Sequence, residues 1–105
     1  MTGKLDICKR IAEIEGVPVY YEDNPYYGSN YFRKDTHHDI GPYVYNPLTD
    51  DALCFRLMIN YQIRLSHDFG KYSWMCFHSK AQGRLSQNEA PSEAICLAII
   101  KLHED

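Results

Sequence analysis

Apolar residues return at three- and four-residue spacing in three windows of the chain, and alternate with polar ones in a fourth. Over residues 4–15, Leu5, Cys8, Ile11 and Ala12 fall on one side with Ile7 and Ile14 beside them. Lys9, Arg10, Glu13 and Glu15 lie largely opposite. This spacing predicts a helix with one buried face. Gly16 is suited to terminate it in a left-handed conformation, and Pro18 prevents its continuation. A second helix is predicted from about Asp50 to Tyr61, where Leu53, Leu57 and Tyr61 form a line with Cys54 and Met58 alongside. Phe55 and Ile59 widen the apolar surface. Thr49 is the expected cap of this helix, with Asp50 and Asp51 facing the positive end of its dipole. A third helix starts near Pro91 at its first position, and Ala94, Ile95, Ala98, Ile99 and Leu102 form its core face.

Between the second and third helices the period changes to two. Ile63-Arg64-Leu65-Ser66-His67 reads as a half-buried strand. Asp68-Phe69-Gly70-Lys71 reads as a connection in which Gly70 takes positive φ, and Tyr72 to His78 as an aromatic return strand. A third short strand is expected around Leu85. The front of the chain is less regular. Val17 to Tyr21 is a short edge strand, because Pro18 cannot donate to a ladder. Residues 22–45 lose periodicity and carry the turn signals Asn24-Pro25, Gly28-Ser29-Asn30 and Gly41-Pro42. The expected architecture is a single α+β domain over residues 1–105. A small antiparallel sheet, centred on a hairpin, is packed by about three helices in an α–β–α sandwich-like arrangement, and a tyrosine-rich loop spans about 22–45.

Length and charge narrow the function. A chain of 105 residues buries one modest core, and 45% hydrophobic with 24% charged residues is ordinary for a globular protein. Eleven basic residues against fourteen acidic ones give a net charge of −3, which argues against non-specific binding along a nucleic-acid backbone. No apolar run reaches the roughly 18–20 residues of a membrane span, and Asp6, Lys9, Arg10 and Glu13 interrupt the start where a signal peptide would be apolar. The expected location is the cytoplasm.

Catalytic chemistry has little support. Cys8, Cys54, Cys76 and Cys96 are widely spaced, with no C-x-x-C pair, and each sits among apolar neighbours. His37-His38-Asp39, with Asp35 near, offers metal-ligand types, but nothing fixes a third or fourth ligand, so it reads as a polar loop and no metal is assigned. His67 and His78 bracket the hairpin and are candidates to face each other across it. Cys76 and His78 share a strand face without forming a productive pair. Asp68-Phe69-Gly70 is a turn. No phosphate-loop, dinucleotide-binding or nucleophile-elbow motif occurs, so neither a cofactor nor an enzymatic reaction is assigned.

The tyrosines carry the functional signal. Seven of nine, Tyr20, Tyr21, Tyr26, Tyr27, Tyr31, Tyr43 and Tyr45, fall in residues 20–45 with Phe32, Arg33 and Lys34 among them. Tyrosine offers a large contact area with two side-chain torsions to freeze, and its hydroxyl tolerates water. The binding candidates are Tyr20, Tyr21, Tyr26, Tyr27, Tyr31, Phe32, Arg33, Lys34 and Tyr43. They suit contact with a protein partner, or stacking on a nucleotide with Arg33 or Lys34 near its phosphate. The plain alternative is packing over a small core.

Three stretches carry a resemblance. Asn46-Pro47-Leu48-Thr49-Asp50-Asp51-Ala52 opens a helix, Trp74 lies in an aromatic strand, and Ala90-Pro91-Ser92-Glu93-Ala94-Ile95-Cys96-Leu97-Ala98 closes the chain. With the first helix ending in Gly16, this resembles a family of small phage and prophage proteins described as α–β–α, or "ABA", sandwich domains. The resemblance implies the fold and a phage origin, and carries no catalytic residue. By analogy, it suggests an accessory protein that binds a host protein, such as a CRISPR surveillance complex, as an anti-CRISPR-like inhibitor in the host cytoplasm. The alternative is a module that sequesters a nucleotide immune signal in a tyrosine-lined pocket.

Overall fold

The computed structural model describes residues 3–34 and 43–104 of the chain. The polypeptide forms two compact units, Met1–Asn46 and Pro47–Asp105. The class is α+β, as the periodicities predict, with three helices and two antiparallel sheets of two and three strands. Asp35, His37, His38, Asp39 and Gly41-Pro42 lie outside the described residues.

In the first unit, α1 (Lys4–Glu15) buries Ile7, Cys8, Ile11 and Ala12, while Leu5 lies at the exposed edge of the predicted stripe. Gly16 takes φ 70°, and the Gly16 and Val17 amides donate to the Glu13 and Ala12 carbonyls at 3.2 and 2.9 Å. These bonds satisfy carbonyls the helix end would otherwise leave open. Residues 22–33 correct the expectation of a long loop: β1 (Val19–Asn24) and β2 (Gly28–Arg33) form an antiparallel hairpin. Residues 43–45 continue along the other side of β2, with Val44 opposite Phe32. The Tyr45 amide donates to the Tyr31 carbonyl at 2.8 Å. Asn46 ties this end down: its Oδ1 accepts from the Cys8 thiol and its Nδ2 donates to Asn30 Oδ1, both at 3.3 Å. Phe32 and Tyr45 are buried with the α1 face, so two of the six buried hydrophobic residues described in this unit are aromatic.

The second unit contains α2 (Asp51–Asn60), β3 (Arg64–Asp68), β4 (Ser73–Phe77), β5 (Ser86–Asn88) and α3 (Pro91–Leu102). Its strands lie in the order β3-β4-β5, all antiparallel. Asp50, one residue later than expected, caps α2: its Oδ1 accepts from the Leu53 amide at 3.1 Å. Leu53, Cys54 and Leu57 from α2, Cys76 from β4, and Ala94, Ile95, Cys96, Ala98 and Ile99 from α3 are buried. The β3–β4 turn differs from the sequence reading at one point. Gly70 keeps negative φ, and the left-handed conformation falls on Tyr72, at φ 50°. The reason is local: Asp68 Oδ1 accepts from the Gly70 amide and its carbonyl accepts from Lys71, which curls the chain early. Among the described residues, no helix is long and apolar enough to cross a membrane.

Candidate binding surface

The first hairpin presents most of the tyrosine-rich segment. Its turn is built by Asn24, whose Oδ1 accepts from the amides of Tyr26 and Tyr27 at 2.7 and 3.0 Å. Gly28 closes it at φ 77°, a conformation that favours glycine. Asn30 Nδ2 then holds the Tyr27 carbonyl at 2.7 Å. Tyr26, at the tip, is 89% exposed.

Register sorts the other side chains, because residues opposite one another in an antiparallel pair share a face. Tyr20 lies opposite Phe32 and stacks on it, with ring centroids 5.6 Å apart. Tyr27 meets the same ring edge-on at 6.3 Å. This is the inward face, and Phe32, at 0% exposure, is core rather than a contact residue. Tyr20 and Tyr27 are partly committed to covering it.

The other face carries three rows. Val19 lies opposite Arg33, Tyr21 opposite Tyr31, and Asp23 opposite Ser29. The two tyrosines meet edge to face at 5.7 Å, and Tyr21 is half exposed. Ser29 Oγ donates to Asp23 Oδ1 at 2.8 Å, which fixes the carboxylate on that side. An aromatic pair is thus set between a cation and an anion. Among the described residues no strand pairs with the outer edge of β1. Lys34 is exposed and held through its backbone, its amide donating to the Pro18 carbonyl at 2.9 Å. Tyr43 is half exposed, and its carbonyl accepts from the Arg33 amide at 2.9 Å. Eight of the nine predicted residues therefore fall on or beside this hairpin with accessible surface, Tyr31 and Arg33 partly covered among them. Phe32 supports them from beneath, and Tyr31 is half-buried beside Tyr21.

The histidine and cysteine candidates separate. His67 lies opposite Trp74, not His78, and its ring packs edge-on against Trp74 and Phe69 at 4.7 and 4.5 Å. His78 Nδ1 accepts from the Lys80 amide at 3.0 Å. Cys76 is fully buried, and that burial raises its pKa above the ordinary thiol value, partly offset by a hydrogen bond with Ser86. Cys54 is shifted the other way: a hydrogen bond with the Cys96 side chain lowers its pKa, against burial and the nearby charges of Asp51 and Asp50. Among the described residues, no group of three His, Cys, Asp or Glu side chains converges as a metal site.

One feature lies outside the sequence-derived set. In the second unit a concavity of about 590 Å³ is lined by Tyr61, His78, Lys80, Arg84, Lys101 and His103, with Leu85 and Leu102 as apolar wall. Its residues come from three separate stretches, residue 61, residues 78–85 and residues 101–103, so no local motif announces it. No protein-family model, curated protein or solved structure matches the chain.

Proposed function

We propose that this chain is a phage- or prophage-encoded accessory protein that acts in the host cytoplasm by binding a host protein, without catalysis, as a counter-defence inhibitor. The carrying observation is the outer face of the first hairpin, where Tyr21 and Tyr31 are paired between Arg33 and Asp23, with Tyr26 standing free at the tip. Aromatic residues and arginine are the usual anchors of protein interfaces, and exposed aromatic surface on a small domain is otherwise unfavourable.

Two further features support the reading. The rings are held before any partner arrives: the hairpin register fixes Tyr21 and Tyr31, and the Asn24 turn fixes the backbone at Tyr26. That lowers the entropy lost on binding. Glu22 and Asp23 are exposed on the same hairpin and suit a basic groove such as a nucleic-acid-binding protein presents. The phage origin rests on the resemblance of the helix starts and the Trp74 strand.

The test is affinity capture from lysate of a susceptible bacterial host, with wild-type protein and a Tyr21→Ala/Tyr26→Ala/Tyr31→Ala variant of unchanged circular dichroism. The reading predicts one stoichiometric host protein that the variant fails to retain. Retention of that partner by the variant would place the interface elsewhere and overturn the reading.

A further inference from the structure

The concavity of the second unit has an unusual charge inventory for a protein of net charge −3. Lys80, Arg84 and Lys101 line it, and among the described residues no carboxylate does. None of the three cations is in an ion pair with another described residue. Arg84 is oriented by a neutral partner, its guanidinium donating to Gln87 Oε1, which leaves its charge unneutralised. Three cations gathered on a recess without counter-charge raise the local potential and attract anions.

Of the two histidines, His78 adds a directed donor, while the ring hydrogen of His103 is spent on the helix end. The Lys80 amide donates to His78 Nδ1, so in the neutral ring the proton sits on Nε2. His103 Nδ1 lies 2.9 Å from the Ile99 carbonyl and therefore carries a hydrogen there. That bond, with the His103 and Glu104 amides donating to Ile100 and Lys101, also caps the last carbonyls of α3, whose partial negative charge would otherwise oppose an anion. The remaining wall is of a different kind. Tyr61 presents a ring, braced edge-on by His103 at 5.3 Å, and Leu85 and Leu102 are apolar.

We propose that this concavity binds a phosphate-bearing small molecule of nucleotide size, its phosphates held by Lys80, Arg84 and Lys101 and its flat ring set against Tyr61, Leu85 and Leu102. The volume of about 590 Å³ lies within the range of small-molecule sites. Guanidinium and ammonium groups are the side chains that recognise phosphate, the first by paired hydrogen bonds and the second as a point charge. The site shares no residue with the tyrosine hairpin.

Calorimetric titration of the full chain with ADP, pyrophosphate and adenosine separates the contributions. ADP binds most tightly, pyrophosphate more weakly, and adenosine not measurably. Arg84→Ala and Lys101→Ala each weaken ADP by about tenfold, the loss of one charge-assisted hydrogen bond. Both side chains are exposed, so the variants fold. Amide shifts on ADP addition fall in residues 78–85 and 101–103. The assignment is overturned if neither ADP nor pyrophosphate binds at millimolar concentration, if adenosine matches ADP, if the variants bind undiminished, or if the shifts fall in the first hairpin.

Discussion

Tyr20 stacks on Phe32 across the first hairpin, with ring centroids 5.6 Å apart and planes inclined by 26°. This contact decides which face of the hairpin is support and which is available. Phe32 is buried and Tyr20 lies over it, so Tyr21 and Tyr31, one step along each strand, must project from the opposite side. Phe32→Ala should therefore cost about 3–5 kcal/mol, as removal of a buried aromatic ring does, and Tyr21→Ala no more than about 1 kcal/mol. Chemical denaturation followed by circular dichroism checks both. Equal losses would mean that the outer pair is structural.

The cap of α2 gives a second expectation. Asp50 accepts from the Leu53 amide and places its charge at the positive end of the helix. Asp50→Ala should destabilise the protein by about 1 kcal/mol, and Asp50→Asn by less, because an amide oxygen still caps. Melting curves that leave the alanine variant at the wild-type temperature would contradict the assignment.

Tyr72 holds φ at 50° while its side chain is 80% exposed, so its conformation is unfavourable and little burial offsets it. Tyr72→Asn should raise stability by about 1 kcal/mol, the usual cost of a left-handed conformation for a residue with a large side chain. A lower melting temperature would show that the ring makes a contact worth more than the strain.

The two shifted thiols should differ in reactivity. Cys54 sits in an apolar groove with Phe55, Met58, Leu65 and Ile95, and its pKa is lowered by the Cys96 hydrogen bond. Cys76 is fully buried and its pKa is raised. The thiolate is the reacting species, so at neutral pH Cys54 should be alkylated ahead of Cys76 in the folded protein. Raising the pH ionises ordinary thiols as well and narrows the advantage of Cys54. Peptide mapping after brief iodoacetamide treatment reads the order, and equal labelling would contradict it.

The helices were legible because their signals are local: apolar residues at helical spacing, Gly16 at one end and Pro91 at another. The β3–β4 hairpin followed from alternation. The first hairpin was not legible over residues 22–33 because tyrosine erases the contrast that periodicity needs. Tyr20 faces inward and Tyr21 outward, and the sequence writes both with the same letter. The turn signals at Asn24-Pro25 and Gly28 were legible, and Asn24 does build the turn, but without alternation on either side they did not announce a hairpin. The tyrosine cluster itself was readable as a candidate surface, though not that Phe32 is its foundation. The basic concavity was out of reach for another reason. Tyr61 reads as the end of the apolar line of α2, His78 as a strand end, and Arg84 and Lys101 as ordinary surface residues, until the strand and helix order brings them together.

Amide hydrogen exchange on the complex with the captured host partner tests the central claim most directly. Slowed exchange in Val19–Asn24 and Gly28–Arg33 and at the Tyr26 turn, relative to the free protein, is the predicted result. Protection confined to the second unit, with the first hairpin exchanging as in the free protein, would contradict it.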